Sequence, residues 1–137
     1  MGLILDSSVL VAFERRRFDL ERLLNDSAPP VIAAITAAEL LIGVERADTP
    51  ERRARRELFV QNIFEKVPII PFEIRQARIY ASRFAELASR GQIIGDRDLQ
   101  IAATALSLDF DLATLNRDEF ERISDLRLVN VAPYVVA

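Results

Sequence analysis

Residues 3–10 read LILDSSVL, and this short segment gives the first indication of the architecture. Its apolar run, Leu3–Leu5, predicts a buried strand that ends at Asp6. An amphipathic stretch opens at Ser7, immediately after the acid, and predicts a helix. The chain therefore begins with a strand, an acid at the end of that strand, and a helix, which is the first unit of an α/β arrangement.

The rest of the chain continues this alternation of strands and helices. Further apolar runs predict strands over residues 31–35, 67–71, 111–114 and 127–131. Helices are predicted over residues 18–24, 36–46, 50–64, 72–90 and 96–108. Short strands that are apolar on both faces and alternate with helices predict a parallel sheet covered by helices. A chain of 137 residues without an internal repeat is expected to form a single α/β domain, residues 1–137.

The composition excludes several kinds of chemistry. The chain has no cysteine and no histidine, which excludes a disulfide framework, a thiolate zinc site and a Ser-His-Asp triad. Its 18 basic and 21 acidic residues give a net charge of −3, so a nucleic-acid partner would need a local basic patch. No apolar stretch approaches the roughly 20 residues of a membrane span, and the N-terminus lacks a basic leader. We therefore expect a soluble, cytoplasmic protein without a membrane partner.

Acids and amides recur where the predicted strands end. Asp6 follows the first strand, Glu39 lies early in the helix after the second, and Asn116 and Glu119 follow the fourth. Asp98 lies in the first turn of the helix that precedes the fourth strand. Ligands of open parallel sheets bind just beyond the carboxyl ends of the strands, so all these side chains could meet at one edge. Oxygen donors without imidazole or thiolate describe a site for a hard cation, Mg²⁺ or Mn²⁺.

Each of these acids also has a purely structural interpretation. Asp6 could cap the helix that begins at Ser7, and Asp96 is a natural N-cap for the helix that contains Asp98. Glu39 stands three residues after Thr36, which fits a capping box and favours capping for this glutamate taken alone. Asp98 shares the inward stripe of its helix with residues 101, 102 and 105, and a buried carboxylate must be paired or bind a cation. That position favours a functional role for Asp98.

Two runs of arginine are candidates for binding phosphate. Residues 52–56 read RRARR, which is more often a solvated helix face than a phosphate site. Residues 15–17 are three consecutive arginines that follow closely after Asp6. Their position makes them the better phosphate candidate.

Four segments, taken together and in order, resemble the motifs of PIN-domain ribonucleases. The opening LILDSSVL is similar to the first motif, and residues 36–40, TAAEL, followed by Gly43, resemble the second. Residues 94–105, IGDRDLQIAATA, are similar to the third and are the most specific of the set. Residues 113–120, ATLNRDEF, resemble the fourth. Length and pattern are most similar to the VapC toxins of type II toxin–antitoxin pairs.

This resemblance implies a three-layer α/β/α sandwich around a parallel sheet of about five strands, in a homodimer. It implies an Mg²⁺-dependent endoribonuclease that a VapB-type antitoxin inhibits by occupying the active-site groove. Matched residue by residue, Asp6 and Asp98 correspond to the principal metal ligands and Glu39 to the second acid of the family. The fourth position is Asn116, with Glu119 where many relatives have aspartate.

A metal-dependent mechanism follows as a hypothesis from this set of residues. A cation held by Asp6 and Asp98 would activate water for in-line attack on RNA and leave 5′-phosphate and 3′-hydroxyl ends. The alternative mechanism, in which histidines activate the 2′-hydroxyl of RNA, is excluded because the chain has no histidine. A DNA-cleaving nuclease of the same fold remains open, because carboxylate–metal chemistry does not need the 2′-hydroxyl. A catalytically inert, dimeric binding module whose acids are all caps is the non-enzymatic alternative.

Overall fold

A parallel sheet occupies the centre of the computed structural model, which describes residues 2–137. Within that range the sheet has four strands: β1 (Leu3–Leu5), β2 (Pro30–Ala33), β3 (Ile69–Ile70) and β4 (Asp111–Ala113). Their order is β3-β2-β1-β4, and all neighbours run parallel. The opening apolar run is therefore a central strand, paired with β2 on one side and β4 on the other.

Helices cover both faces of this sheet. Residues 2–137 contain seven: α1 (Ser7–Glu14), α2 (Leu20–Asn25), α3 (Ala34–Glu45), α4 (Pro50–Lys66), α5 (Ile74–Ser89), α6 (Asp96–Leu108) and α7 (Arg117–Phe120). A 3₁₀ turn at Ala132–Tyr134 follows. None of the helices in this range combines the length and apolar character needed to cross a bilayer.

The alternation of side chains along β1 divides the core into two layers. Leu3 and Leu5 belong to a cluster with apolar residues of α1, α2, α3 and α4. Ile4 belongs to a second cluster with residues of α5, α6 and α7, on the opposite face. All three side chains of β1 are buried, so the strand is covered on both sides. The result is the predicted α/β/α sandwich.

The predicted fifth strand, residues 127–131, joins the sheet through a single parallel bridge between Leu112 and Leu128. The amide of Leu112 donates to the carbonyl of Arg127 at 2.9 Å, and the amide of Val129 donates to the carbonyl of Leu112 at 2.8 Å. Pairing extends no further because the chain turns into the 3₁₀ segment that contains Pro133. The segment lies at the edge of the sheet beside β4 without forming the regular strand that was predicted.

The ends of the helices show where local sequence signals correctly predicted the boundaries of the elements. The side chain of Thr49 accepts from the amide of Arg52 at 3.1 Å and caps α4, as its Thr-Pro-Glu start predicts. Gly91 has φ of +67° and its amide donates to the carbonyl of Ala88, which ends α5 as predicted. The predicted second strand is too long, because Ala34 and Ile35 already belong to α3. β2 ends at Ala33, whose partner in β3 is the last residue of that strand.

Candidate active site

The first strand delivers Asp6 to the carboxyl edge of the sheet. The side chain is only 2% exposed, and its Oδ2 accepts from Ser8 Oγ at 2.6 Å and from Thr114 Oγ1 at 2.7 Å. Asp6 occupies the N-cap position of α1, yet its side chain makes no capping hydrogen bond. The alternative in which Asp6 serves as a helix cap is therefore wrong. Two hydroxyl groups fix one carboxylate oxygen and leave the other without a hydrogen bond from residues 2–137.

The capping-box interpretation of Glu39 is also wrong. Because α3 begins at Ala34 with Ala33 as its N-cap, Thr36 lies inside the helix and cannot cap it. Glu39 is instead half-buried, with Oε2 3.7 Å from a guanidinium nitrogen of Arg97. Its Oε1 is buried and has no hydrogen-bond partner within residues 2–137. Burial and the charge of Asp6 raise the pKa of Glu39, against the hydrogen bond from Ser7 and the charge of Arg97.

Asp98 lies in the first turn of α6 and faces the same edge. Burial raises the pKa of Asp98 to about 7, helped by a hydrogen bond with Glu119 and the charges of Asp6, Glu119 and Glu39. Because the charges of three other acids raise its pKa, the Asp98 carboxyl must lie near all three. This agrees with its place on the inward stripe of the helix, next to the buried residues Ile101, Ala102 and Ala105.

The neighbouring acid Asp96 points elsewhere. Gly95 is the N-cap of α6, so the predicted capping role of Asp96 is wrong by one residue. Asp96 is exposed and accepts hydrogen bonds from the Tyr80 hydroxyl at 2.5 Å and from Gln100 Nε2 at 3.1 Å. It serves to tie α5 to α6.

The segment after β4 contributes two further polar side chains. Asn116 is exposed at the start of α7, and its amide donates to Thr114 Oγ1 at 3.0 Å. Glu119 Oε2 accepts from the amide of Gly95 at 3.2 Å, which links α7 to the start of α6. Asp98, Asn116 and Glu119 line one open depression. Glu119, whose role the sequence left undetermined, thus lies within reach of Asp98.

Sequence reasoning missed the residues that support the acids. Ser8 and Thr114 hold Asp6, and Arg97 pairs with Glu39. Thr114 is the last residue of the predicted fourth strand, at the edge where Asp6 lies, and that position is the signal that could have revealed it. Nothing local distinguishes Arg97 from the other exposed arginines.

The donor set suits a divalent hard cation in its chemistry. The charge of Asp6 acts on Glu39 and Asp98, and carboxylate oxygens are the ligands that Mg²⁺ prefers. Within residues 2–137 no three acidic side chains already form a closed ligand set. The buried Oε1 of Glu39, which has no hydrogen-bond partner among residues 2–137, is an oxygen donor of the kind such an ion takes. The residues present therefore fit such an ion.

The comparisons with known proteins agree with this geometry. The family model described as PIN domain matches residues 3–126, and the chain belongs to the PIN-domain family. Ribonuclease VapC of Rickettsia bellii is 35% identical over 132 residues, which cover 96% of this chain and 97% of that protein. Ribonuclease VapC1 of Rickettsia felis is 33% identical over 132 residues, covering 96% and 98%.

A solved structure shows the same fold. VapBC2 from Rickettsia felis, bound to a DNA fragment from its promoter, contains a chain that aligns with a TM-score of 0.83 and 28% identity. The alignment covers 94% of this chain and 98% of that one. The family resemblance of the four sequence motifs and the predicted sandwich are both confirmed.

Proposed function

We propose that this chain is an Mg²⁺-dependent endoribonuclease that acts in the cytoplasm as the toxin of a VapBC module. The observation that carries the proposal is Asp6, held by Thr114 at the carboxyl edge of the sheet, with Glu39 and Asp98 near enough for its charge to act on both. Relatives named ribonuclease VapC, aligned over nearly the whole chain, support RNA as the substrate. Structural neighbours include VapBC complexes, one of them described as a member of the VapBC family of toxin–antitoxin systems, and this supports a VapB-type antitoxin as partner.

Asp6 and Asp98 are the residues that would hold Mg²⁺, with Mn²⁺ as a substitute. A bound divalent ion lowers the pKa of coordinated water and neutralises charge on a phosphate. Ser8 and Thr114 hold the carboxylate of Asp6 in one orientation, so it pays little entropy on meeting a ligand. Glu39, whose carboxyl lies close enough to Asp6 to respond to its charge, would orient a water near the scissile phosphate. The exposed amide of Asn116 is a hydrogen-bond donor for a phosphate oxygen.

A homodimer belongs to the same proposal. Two helical stretches are apolar enough to form its interface, residues 59–64 and 79–87. The first is used largely in the core, where Val60 and Ile63 are buried. On α5, by contrast, Ile74 is 68% exposed and Phe84 is 57% exposed. Exposed apolar side chains on one helix support α5 as the dimer face.

A cleavage assay with a matched pair of variants tests the proposal. Asp98→Asn should abolish Mg²⁺-dependent cutting of single-stranded RNA, because it removes one charged ligand. Asp96→Asn makes the same chemical change two residues away on the exposed side of α6, and it should cut at the parental rate. Equal rates for the two variants would refute the site.

The alternatives are separated in the same experiment. Matched RNA and DNA strands are offered with Mg²⁺, and cutting of DNA alone would favour the DNA-cleaving nuclease. A thermal melt with and without Mn²⁺ tests the inert module, because a real site stabilises the protein by RT ln(1 + [L]/Kd). No cutting of either strand and no shift at millimolar metal would favour the module.

A further inference from the structure

The arginines of the run RRARR at residues 52–56 differ in their partners: two form ion pairs, and Arg56 binds a backbone carbonyl. Arg52 donates to both oxygens of Asp48, at 2.7 and 2.9 Å, and Arg53 pairs with Glu45 at 3.0 Å. Both side chains are exposed, and these ion pairs largely neutralise their charge. Arg56, one turn further on, is half-buried and donates to the carbonyl of Gly43 in α3 at 2.8 Å. The prediction of a solvated helix face is therefore correct for Arg52 and Arg53 and wrong for Arg56.

Arg56 lines a cleft of about 270 Å³ between α1, α3 and α4. Three more arginines line the same cleft, Arg15, Arg46 and Arg97. Its carboxylates are Glu14 and Glu39, so four positive and two negative side chains give a local charge of +2. In a chain whose net charge is −3, this cleft is a locally positive surface of the kind that attracts phosphate.

The arginines of the cleft differ in whether they form a salt bridge with a carboxylate. Arg97 faces Glu39, whereas Arg15, Arg46 and Arg56 make no salt bridge with any carboxylate in residues 2–137. Arg56 is held in place by its hydrogen bond to a backbone carbonyl, which leaves other guanidinium N–H groups for a ligand. A planar guanidinium fixed in this way matches the oxygens of a phosphate.

The floor of the cleft is apolar. Val60 is buried, and Phe59 is half-buried with its ring centroid 6.0 Å from that of Phe13. An aromatic side chain beside unpaired arginines is the combination that binds single-stranded nucleic acid, since a base stacks while its phosphates meet the cations. The volume lies near the lower end of small-ligand cavities, which fits one nucleotide.

The cleft is continuous with the candidate active site. Ser7 and Glu39 line it at the end next to Asp6, so a ligand in the cleft lies beside the acids. Ser7 and Arg15 also border a second depression, which reaches Asn116. A strand held with its scissile phosphate at the acids can therefore place a neighbouring nucleotide between α1, α3 and α4.

We infer that this cleft is the subsite for the nucleotide adjacent to the scissile phosphate of RNA, with Arg56 and Arg15 as its phosphate-binding residues. The inference rests on the proposed ribonuclease function and adds to it the place where the substrate strand is held. Arg56 is a substrate-binding residue in this assignment, and its hydrogen bond to Gly43 sets its orientation.

Binding of a labelled oligonucleotide tests the subsite without cleavage. All proteins carry Asp98→Asn, and the probe is a fluorescein-labelled eight-nucleotide oligouridylate followed by anisotropy between 50 and 200 mM salt. Adding Arg56→Gln should weaken binding about tenfold, as expected for a lost charge-assisted hydrogen bond. The slope of log K against log salt should fall by about 0.7 for one lost phosphate contact.

Arg55→Gln is the matched control. Arg55 precedes Arg56 on α4, is exposed, and lies outside the cleft, so this variant has the same charge change and should bind within about twofold of its parent. Arg15→Gln should behave like Arg56→Gln, and it keeps the test valid if circular dichroism shows that Arg56→Gln does not fold. Equal affinities and salt slopes for the variants of Arg15, Arg55 and Arg56 would overturn the subsite.

A protein partner for the cleft is a separate outcome of the same experiment. If Arg56→Gln loses binding of a labelled octaglutamate peptide but keeps that of the oligouridylate, the RNA subsite is overturned. Cleavage by the unmodified chain is measured alongside. Cleavage with no effect of Arg56→Gln on binding refutes the subsite alone, whereas an Arg56-dependent affinity without any cleavage refutes the ribonuclease proposal and supports the cleft as an RNA site.

Discussion

Asparagine at position 98 should make the metal-free protein more stable above neutral pH, although it should destroy the proposed catalytic centre. The parent must keep the Asp98 carboxylate close to Asp6, Glu39 and Glu119 in a partly desolvated place. Asparagine has nearly the same shape and no charge, and its amide can donate a hydrogen bond to Glu119. The variant therefore removes the repulsion and keeps the packing.

The size of the effect follows from the raised pKa. A shift from 3.8 to about 7 corresponds to about 4 kcal/mol of unfavourable free energy for the charged form. Asp98 is only half-buried, so solvent screening reduces this to about 2 kcal/mol. Loss of a favourable charge at the start of α6 costs about 0.3–1 kcal/mol. The net gain expected for Asp98→Asn is about 1–2 kcal/mol.

The raised pKa of Asp98 also determines whether the free energy of unfolding rises or falls with pH. Between pH 3.8 and about 7 the folded carboxyl keeps a proton that the unfolded one releases. The stability associated with this group is therefore complete below pH 3.8 and is lost as the pH rises through 7. The stabilities of parent and Asp98→Asn should thus be close at pH 4 and diverge up to pH 8, with the variant more stable.

Urea unfolding in EDTA at pH 4, 6 and 8 measures this difference directly. Adding Mg²⁺ or Mn²⁺ at pH 8 should reverse the order, because ligand at about 100 times its Kd stabilises the parent by about 2.7 kcal/mol. Asp96→Asn, the control, should show no gain at any pH. If Asp98→Asn is no more stable than the parent at pH 8 without metal, the acids do not crowd one another and the reasoning fails.

Three further predictions concern single side chains. Arg16 has φ of +60° at the end of α1, so Arg16→Gly should raise stability by about 0.5–1 kcal/mol, seen as a rise in Tm of a few degrees. Thr36 Oγ1 is buried without a hydrogen-bond partner in residues 2–137, so Thr36→Val should stabilise by about 1 kcal/mol, whereas a capping residue would destabilise on the same change. Glu119→Gln should lower the pKa of Asp98 from about 7, since Glu119 contributes both a hydrogen bond and a charge, while burial keeps the pKa above 3.8. Carboxyl ¹³C titration by NMR measures that change, and an unaltered Asp98 titration would place Glu119 outside the site.

Local patterns along the chain were sufficient for the main parts of the fold. Leu3–Leu5 forms the predicted strand without any shift in its bounds, because a short run that is apolar on both faces is stable only when it is covered on both sides. The inward direction of Asp98 followed from helical periodicity, which depends only on residues within two turns. The family motifs, in order along the chain, then supplied the class of site.

The roles of Glu39, Glu119 and Arg56 depended on contacts between distant segments. Glu39 does not take a capping role because α3 starts at Ala34, directly after the last β2 residue that pairs with β3. That partner, Ile70, lies 37 residues further along the chain than Ala33. Glu119 reaches Asp98 because α7 packs beside the start of α6. Arg56 turns inward because a carbonyl of α3 receives it. Capping, hydrogen-bonding and charge patterns in a sequence depend only on neighbouring residues. They therefore cannot distinguish a solvated side chain from one that contacts a segment distant along the chain.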